Sequence, residues 1–213
     1  MNIALEHVTK RIHKSIVLNN VNLQMESGTV YGLWGSNGSG KTMLLRLLAG
    51  LIYPTKGAVR INGKQLGKDF DFPESIGLLL ENPAFLDYYT GKRNLELIAA
   101  LKHRISNQEI EHVLRTVGLD PNDRRICRKY SLGMKQRLGL AVALMEQPEL
   151  ILLDEPTNAL DVSGVDVLEK LIMTEKKRGA LLVIASHDRA FLELVSDKIY
   201  VVTEGRLLDE GAE

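Results

Sequence analysis

The hydrophobic and polar positions of this chain follow two different periods. Near the N-terminus, residues 2–9 and 16–25 alternate between polar and apolar side chains. This alternation predicts a pair of antiparallel strands, each with one exposed face. Four short runs are instead apolar at nearly every position: 30–34, 76–80, 150–153 and 181–185. Runs of this kind are typical of parallel strands that are buried on both faces.

Between the second and third of these runs, the pattern changes to that of helices. Residues from about 91 to 146 show helical spacing and no strand pattern. Ser106 and Glu109 have the spacing of a capping box, and Ser131 is placed to cap a later helix that Pro148 ends. Elsewhere strands alternate with helices, which predicts parallel pairing through right-handed crossovers. The fold class is therefore α/β, with a helical segment inserted into the core.

Composition and charge place the chain among ordinary globular proteins. Its 213 residues are 45% hydrophobic and 25% charged, which is enough for one large domain with a real core. The 27 Lys and Arg residues balance the 27 Asp and Glu residues, so nucleic acid is not expected as a partner. The single cysteine, Cys127, excludes an internal disulfide and fits a reducing compartment. No apolar run approaches the ~20 residues of a transmembrane helix, and no targeting signal is expected at the N-terminus.

The first candidate for chemistry is a glycine-rich stretch that ends in Lys41 and Thr42. Its spacing is G-x-x-x-x-G-K-T, and it lies between the apolar strand at 30–34 and an apolar helix at 43–50. In that context the loop turns backbone N–H groups toward a phosphate, and the helix N-terminus adds a partial positive charge. Lys41 is expected to reach the β- and γ-phosphates, and the Thr42 hydroxyl to bind Mg²⁺; an ordinary glycine-rich turn is the alternative. The predicted nucleotide-binding residues are Gly35, Ser36, Asn37, Gly38, Ser39, Gly40, Lys41 and Thr42.

Polar groups also follow two of the apolar strands. Asp154 and Glu155 come directly after the run at 150–153, and His187 follows the strand at 181–185. Ligands of α/β sheets bind at the carboxyl ends of the strands. Asp154 is therefore predicted to hold Mg²⁺, Glu155 to deprotonate an attacking water, and His187 to contact the γ-phosphate and align Glu155 with the water. A helix N-cap is the alternative for either carboxylate, and a structural role is the alternative for His187.

At this point the chain resembles the ATP-binding-cassette (ABC) family from end to end. Tyr130-Ser131-Leu132-Gly133-Met134 stands where the family has its L-S-G-G-Q signature. Asp154-Glu155-Pro156-Thr157 is similar to its Walker B segment, Asn158-Ala159-Leu160-Asp161 to its D-loop, and Ser186-His187-Asp188 to its switch histidine. The motifs occur in the family's order, and together they are highly specific.

The resemblance implies a P-loop NTPase with a RecA-like core at 1–84 and 149–213, a small antiparallel β subdomain and an inserted helical subdomain at 85–148. It implies an ATP hydrolase that uses Mg²⁺. It also implies that Ser131 and Gly133 complete the γ-phosphate site of a second subunit in a head-to-tail dimer, for which a homodimer is expected. The membrane-spanning permease would then be a separate chain, with this one at the inner, cytoplasmic face of the cell membrane.

The sequence departs from the family pattern at several positions. Glu81 stands where the family has a glutamine that ligates Mg²⁺, so Glu81 is a third candidate metal ligand. The segment Glu81-Asn82-Pro83-Ala84-Phe85, followed by Thr90-Gly91-Lys92-Arg93-Asn94-Leu95, resembles the subgroup of bacitracin- and lantibiotic-type exporters. Ile12 and His13 stand where an aromatic residue would stack on adenine. Leu132 and Met134 replace a glycine and the glutamine of the signature.

The expected function is the ATP-hydrolysing subunit of a transporter that exports a small molecule or peptide. An aromatic cluster after Glu81 (Phe85, Leu86, Tyr88 and Tyr89) is a candidate docking site for the membrane subunit, with a place in the core as the alternative. The rival function is a soluble ABC ATPase that acts mechanically on a ribosomal or chromosomal partner. A P-loop kinase would leave the signature and the strand-end residues unexplained.

Overall fold

The computed structural model of the chain describes residues 1–81, 83–102 and 104–209. The predicted core and helical segments also include Asn82, His103 and residues 210–213, which lie outside the described residues. The strands are β1 (Asn2–Ile12), β2 (Ser15–Glu26), β3 (Val30–Trp34), β4 (Lys56–Ile61), β5 (Lys64–Gln65), β6 (Ile76–Leu79), β7 (Leu150–Asp154), β8 (Leu181–Ser186), β9 (Lys198–Thr203) and β10 (Arg206–Asp209). The helices are α1 (Lys41–Leu48), α2 (Gly91–Ala99), α3 (Asn107–Thr116), α4 (Leu132–Leu144), α5 (Val162–Arg178) and α6 (Arg189–Val195), with a 3₁₀ turn at Cys127–Lys129.

The larger sheet has the strand order β10-β9-β3-β8-β7-β6. Every pair in it is parallel except β9 with β10. The four runs that are apolar at nearly every position became β3, β6, β7 and β8, and all residues of β7 and β8 are buried. The prediction of parallel strands buried on both faces is therefore confirmed for β3, β7 and β8. In β6, at the edge of the sheet, Ile76 and Leu78 are only half-buried.

The smaller sheet has the order β2-β1-β4-β5 and is antiparallel throughout. The predicted antiparallel pair is confirmed, but β1 continues to Ile12 rather than ending near residue 9. The alternation is interrupted because the register between β1 and β2 shifts after Leu5, where His7 adopts a left-handed φ of 51°. A bulge of this kind turns one residue out of phase, so the simple period understates the length of the strand.

The segment predicted to be helical contains α2, α3, the 3₁₀ turn and α4. Ser106 and Glu109 form the predicted capping box, and the Ser131 Oγ accepts a hydrogen bond from the backbone N–H of Met134 as the N-cap of α4. Both predicted helix starts are therefore confirmed.

Two hydrophobic clusters lie on opposite faces of the parallel sheet. On β7, Leu150 and Leu152 pack with α1 and the antiparallel sheet, whereas Ile151 and Leu153 pack with α2, α3 and α4. Successive side chains of a strand point to opposite faces, so one strand serves both clusters. This arrangement packs the helical segment against one face of the sheet, over the strand β7 that ends in Asp154. None of the helices within residues 1–81, 83–102 and 104–209 has the length and apolar character needed to span a membrane.

Candidate functional site

The glycine loop lies between the carboxyl end of β3 and the N-terminus of α1. The helix begins at Lys41, two residues before the predicted start at Met43. Its N-cap, Gly40, has a φ of 116°, a left-handed conformation that glycine adopts without strain. A Cβ atom at Gly40 would also lie 2.9 Å from the carbonyl oxygen of Val17. The loop therefore needs glycine here to reach the helix, and it has the strand–loop–helix form of an anion site.

The Lys41 ammonium is buried at the centre of this loop. Its Nζ donates hydrogen bonds to the carbonyl oxygens of Gly35 at 2.7 Å and Ser36 at 3.2 Å. Lys41 Nζ also lies 3.5 Å from the Glu155 Oε1 atom, and both side chains are buried. The structure thus joins the loop to the strand-end carboxylate through one charged pair, which the sequence did not predict.

Glu155 occupies a turn directly after β7. Its φ is 47°, which is unusual for a residue with a side chain, and its backbone N–H donates to the Ala185 carbonyl oxygen of β8 at 2.8 Å. The N-cap of the following helix is Asp161, so the alternative that Asp154 or Glu155 caps it is wrong. The turn instead aims the Glu155 carboxylate across the ends of the two central strands.

His187 and the carboxylate of Glu155 are in direct contact. The His187 Nδ1 atom lies 2.8 Å from Glu155 Oε2, and the His187 backbone N–H donates to the same oxygen at 3.3 Å. Because a carboxylate oxygen accepts, a neutral His187 in this contact carries its proton on Nδ1. The Ser186 hydroxyl lies 3.4 Å from Glu155 Oε2. Glu155 is thereby held between Lys41 on one oxygen and His187 on the other.

Asp154, the last residue of β7, is 1% exposed. Neither of its carboxylate oxygens has a partner at hydrogen-bond distance and angle among the described residues. Burial raises the pKa of the Asp154 carboxyl above its usual value; the nearby Thr42 hydroxyl opposes the increase, and the charges of Glu155 and Glu81 add to it. A buried carboxylate without a partner fits a cation, because a cation would supply the missing charge balance.

The raised pKa of Asp154 predicts that Asp154→Asn stabilises the ligand-free protein at neutral pH. A raised carboxyl pKa in the fold means that stability is lost as the pH rises through that pKa, because the buried group must ionise. Removing the charge avoids this loss, and each kcal/mol gained raises the melting temperature by roughly 2–4 °C for a chain of this size. Thermal unfolding in a chelator should show the increase at pH 7.

The higher melting temperature of Asp154→Asn should approach that of the native protein as the pH falls, and the difference should vanish below the pKa of the carboxyl in the unfolded chain, near 3.8. Asp166→Asn, at an exposed position on α5, is the matched control and should leave the melting temperature unchanged. A melting temperature at pH 7 that is equal to or lower than that of the native protein would contradict this role of Asp154.

These groups open into a cavity of about 780 Å³. Its wall includes the loop and strand-end residues Asn37, Gly38, Ser39, Gly40, Lys41, Thr42, Glu81, Glu155 and His187. The tip of β1 and the start of β2 also line it, where Ile12, Ile16 and Val17 contribute apolar side chains and Ser15 a hydroxyl. Such a volume lies within the range of small-molecule sites, and its lining combines charged and apolar side chains.

The structure places Ser131 and Gly133 away from this cavity, at the exposed start of α4. Gly133 is explained by packing as well, since a Cβ atom there would lie 2.7 Å from the carbonyl oxygen of Ala159. Within the described residues, the two signature positions are therefore not brought together with the glycine loop of the same chain.

Glu81 is exposed and lines both the large cavity and a neighbouring one of about 340 Å³. Its charge is among the causes that raise the pKa of Asp154, so the two carboxylates are near each other. The position agrees with the expectation that Glu81 lies beside the metal candidates. The adjacent Asn82 is outside the described residues.

Sequence reasoning missed Gln136 and the pairing of Arg137. The Gln136 side chain is buried and donates to the carbonyl oxygens of Glu155 and Pro156, and Arg137 pairs with Asp161 at 2.9 Å. The available signal was a glutamine in a helix that is apolar at every position from 138 to 145 and therefore buried nearly all round, where a polar side chain needs a partner.

Comparison with known proteins finds similarity to ATP-binding proteins of transporters. The family model described as "ABC transporter" matches residues 18–158. The uncharacterized ABC transporter ATP-binding protein YybJ of Bacillus subtilis (strain 168) is 46% identical over 201 residues, covering 94% of this chain and 92% of YybJ. The bacitracin transport ATP-binding protein BcrA of Enterococcus faecalis is 38% identical over 210 residues, covering 98% of this chain and 68% of BcrA.

Among solved structures, the dimeric post-hydrolysis state of the ATP-binding cassette MJ0796 bound to ADP and Pi superimposes with a TM-score of 0.83 at 25% identity, covering 96% of both chains. The predicted resemblance to the bacitracin-type subgroup and the predicted P-loop NTPase fold are therefore confirmed.

Proposed function

This chain belongs to the ABC transporter family as an ATP-hydrolysing subunit, and we propose that it drives a separate membrane-spanning subunit through ATP-dependent dimerisation. The observation that carries this proposal is the cavity in which Lys41, Glu155 and His187 meet beside the glycine loop. The alternative of a ribosomal or chromosomal ATPase has less support, because the relatives of this chain named above are ATP-binding proteins of transporters.

The glycine loop binds the phosphates of ATP in this proposal. Backbone N–H groups from Gly35 to Thr42 supply donors, and the N-terminus of α1 supplies a partial positive charge. The Lys41 ammonium already lies inside the loop on the carbonyl oxygens of Gly35 and Ser36. A phosphate offers it stronger, charge-assisted hydrogen bonds than these carbonyls do.

Glu155 acts as the general base. It accepts a proton from the water whose oxygen attacks the γ-phosphorus, and the bond from that phosphorus to the bridging oxygen of ADP breaks. The hydrogen bond from His187 Nδ1 to Glu155 Oε2, at 2.8 Å, holds the carboxylate in orientation. His187 is therefore proposed as the second catalytic residue, which orients Glu155 and contacts the γ-phosphate.

Thr42, Asp154 and Glu81 are the residues that would hold Mg²⁺. Within the described residues no three His, Cys, Asp or Glu side chains form a metal cage by themselves. Mg²⁺ is commonly held by one or two carboxylates together with substrate phosphates, so an incomplete protein cage suits it. Bound Mg²⁺ would neutralise charge on the phosphates, and the partnerless Asp154 carboxylate would gain a counter-charge.

The helical subdomain, which we propose spans 85–148 beside a core at 1–84 and 149–213, serves the second subunit. Ser131 and Gly133 stand at the exposed N-terminus of α4, where a helix favours an anion. They face a γ-phosphate held by a second copy of the chain, so that two ATP molecules lie between two subunits. The dimeric solved structure of a similar cassette supports this arrangement.

Transport is proposed in the outward direction, with a small molecule or peptide as cargo. The basis is the 38% identity to a protein named for bacitracin transport. The chain would then work at the inner face of the cell membrane, bound to its permease.

The aromatic docking surface for that permease consists of Leu86, Tyr88 and Tyr89, all exposed. Buried Asn94 accepts from the Leu86 backbone N–H at 2.8 Å, and the Tyr89 carbonyl oxygen accepts from the Cys127 N–H at 2.8 Å. The loop is thus fixed at both ends while its side chains face outward. A rigid exposed aromatic cluster is typical of a binding surface, because little entropy is lost when it docks.

Tyr88→Asp is therefore expected to reduce, by roughly tenfold or more, the amount of membrane subunit that copurifies with the tagged protein in mild detergent. Tyr88 is 75% exposed, so the protein should fold and bind ATP normally. Phe72→Asp is the matched control, because Phe72 is also exposed, at 58%, but lies on the core between β5 and β6. Equal capture of the membrane subunit by both variants would contradict the proposed docking surface.

A further inference from the structure

Gln136 connects the helical subdomain to the turn that carries Glu155. It lies in the second turn of α4, is 8% exposed, and its Nε2 atom donates to the carbonyl oxygens of Glu155 at 3.3 Å and Pro156 at 3.1 Å. Because both partners are carbonyl oxygens, the group that faces them is the amide NH₂. One side chain on the helical subdomain thus uses both of its N–H groups on the catalytic turn.

That turn needs support from its neighbours, since Glu155 has a φ of 47°. A residue with a side chain keeps such a left-handed conformation only where surrounding contacts stabilise it. The Glu155 N–H is fixed by Ala185 of β8, and its carbonyl oxygen accepts from Asn158 and from Gln136. Pro156 is buried, so its carbonyl oxygen also requires a donor. Gln136 therefore supports the turn at two successive carbonyl groups.

We propose that Gln136 is a positioning residue for ATP hydrolysis, which keeps the backbone of Glu155 in the conformation that aims its carboxylate at the reaction site. The proposal rests on the proposed role of Glu155 as the base. The hydrogen bonds of the Gln136 side chain among the described residues go to Glu155 and Pro156 and not to the glycine loop, so its effect passes through Glu155.

The neighbouring side chain, Arg137, also joins α4 to the segment that follows Glu155. Arg137 Nη2 pairs with Asp161 at 2.9 Å, and Arg137 Nη1 donates to the Val117 carbonyl oxygen at 3.0 Å. Gln136 and Arg137 thus hold the two ends of the segment that runs from Glu155 to Asp161. Since Ser131 is the N-cap of α4, the helix that presents the signature is also the helix that orients the base. Glu155 is correctly aimed only while α4 is seated against this segment.

The test compares kcat with ATP affinity in Gln136→Met, which keeps the length of the side chain but loses its N–H donors. We expect kcat to fall by on the order of tenfold to hundredfold, as for other small misplacements of a catalytic group. ATP affinity, measured by the fluorescence of Trp34, should stay within about twofold, because the loop that binds phosphate is untouched. Gln108→Met, the same change at an exposed position of α3, should leave both quantities unchanged.

A double variant separates positioning from general stability. If Gln136 acts through Glu155, then Gln136→Met should reduce the residual turnover of Glu155→Gln by less than about twofold. A full tenfold or larger loss in that background, an equal loss of ATP affinity, or an unchanged kcat for Gln136→Met alone would each overturn the proposal. Normal turnover in Glu155→Gln alone would instead refute the proposed base, whatever the result at Gln136.

Discussion

Glu155→Gln is expected to lower ATP turnover by on the order of a hundredfold or more while ATP binding is retained. General base catalysis contributes roughly 10²- to 10⁴-fold, and the amide has no proton-accepting oxygen of comparable basicity. The amide keeps the size of the side chain, so the packing between Lys41 and His187 changes little. Phosphate release measured at saturating ATP gives the turnover.

Binding can be followed through Trp34, the only tryptophan of the chain. It ends β3 beside the glycine loop, its Nε1 donates to the His187 carbonyl oxygen at 3.3 Å, and the Arg189 guanidinium lies 5.0 Å from its ring. Closure of the loop on phosphate should change these contacts and the emission. MgATP should therefore change the fluorescence of the native and Glu155→Gln proteins to the same extent.

Lys41→Ala provides the contrast, because it removes the cation that lies inside the loop and should abolish the fluorescence response. Turnover near the native rate in Glu155→Gln would remove Glu155 as the base. Identical titrations for Lys41→Ala and the native protein would mean that Trp34 does not report on the loop.

The sequence predicted the fold well where local patterns and tertiary packing agree. The apolar runs at β7 and β8 leave no solvated face, so only a buried parallel strand suits them. The capping box at Ser106 acts within one turn of α3 and depends on no distant residue. The end of β1 was predicted less well, because the bulge near His7 depends on pairing with β2 as well as on local sequence.

The candidate site shows the same distinction. Strand ends predicted that Asp154, Glu155 and His187 would lie at one edge, since parallel strands end together. The pairing of Glu155 with Lys41 across 114 positions depends on the order of strands in the sheet, which no local period encodes. Gln136 was missed for a related reason: its partners are backbone carbonyl groups, and these have no signature in a sequence.

The second large effect concerns assembly: ATP should convert Glu155→Gln from monomer to dimer, and Ser131→Arg should abolish that change. In the proposed arrangement, uncleaved ATP would stabilise the dimer because it would bind both subunits at once, whereas hydrolysis would remove the γ-phosphate that the signature is proposed to contact. Ser131 is the exposed N-cap of α4. An arginine there would fill the space that the proposed dimer needs for a phosphate of the second subunit. Light scattering with and without MgATP measures the mass.

Ser106→Arg in the same Glu155→Gln background is the control that separates loss of a helix cap from loss of the contact between subunits. The Ser106 hydroxyl caps α3 as the Ser131 hydroxyl caps α4, so both changes remove one N-cap, worth about 1 kcal/mol, and add one positive charge. Ser106→Arg should still form the dimer, because Ser106 lies outside the signature. Dimers in both arginine variants would contradict the role of Ser131, and a monomer of Glu155→Gln at saturating ATP would contradict the homodimer and leave a different cassette as the required partner.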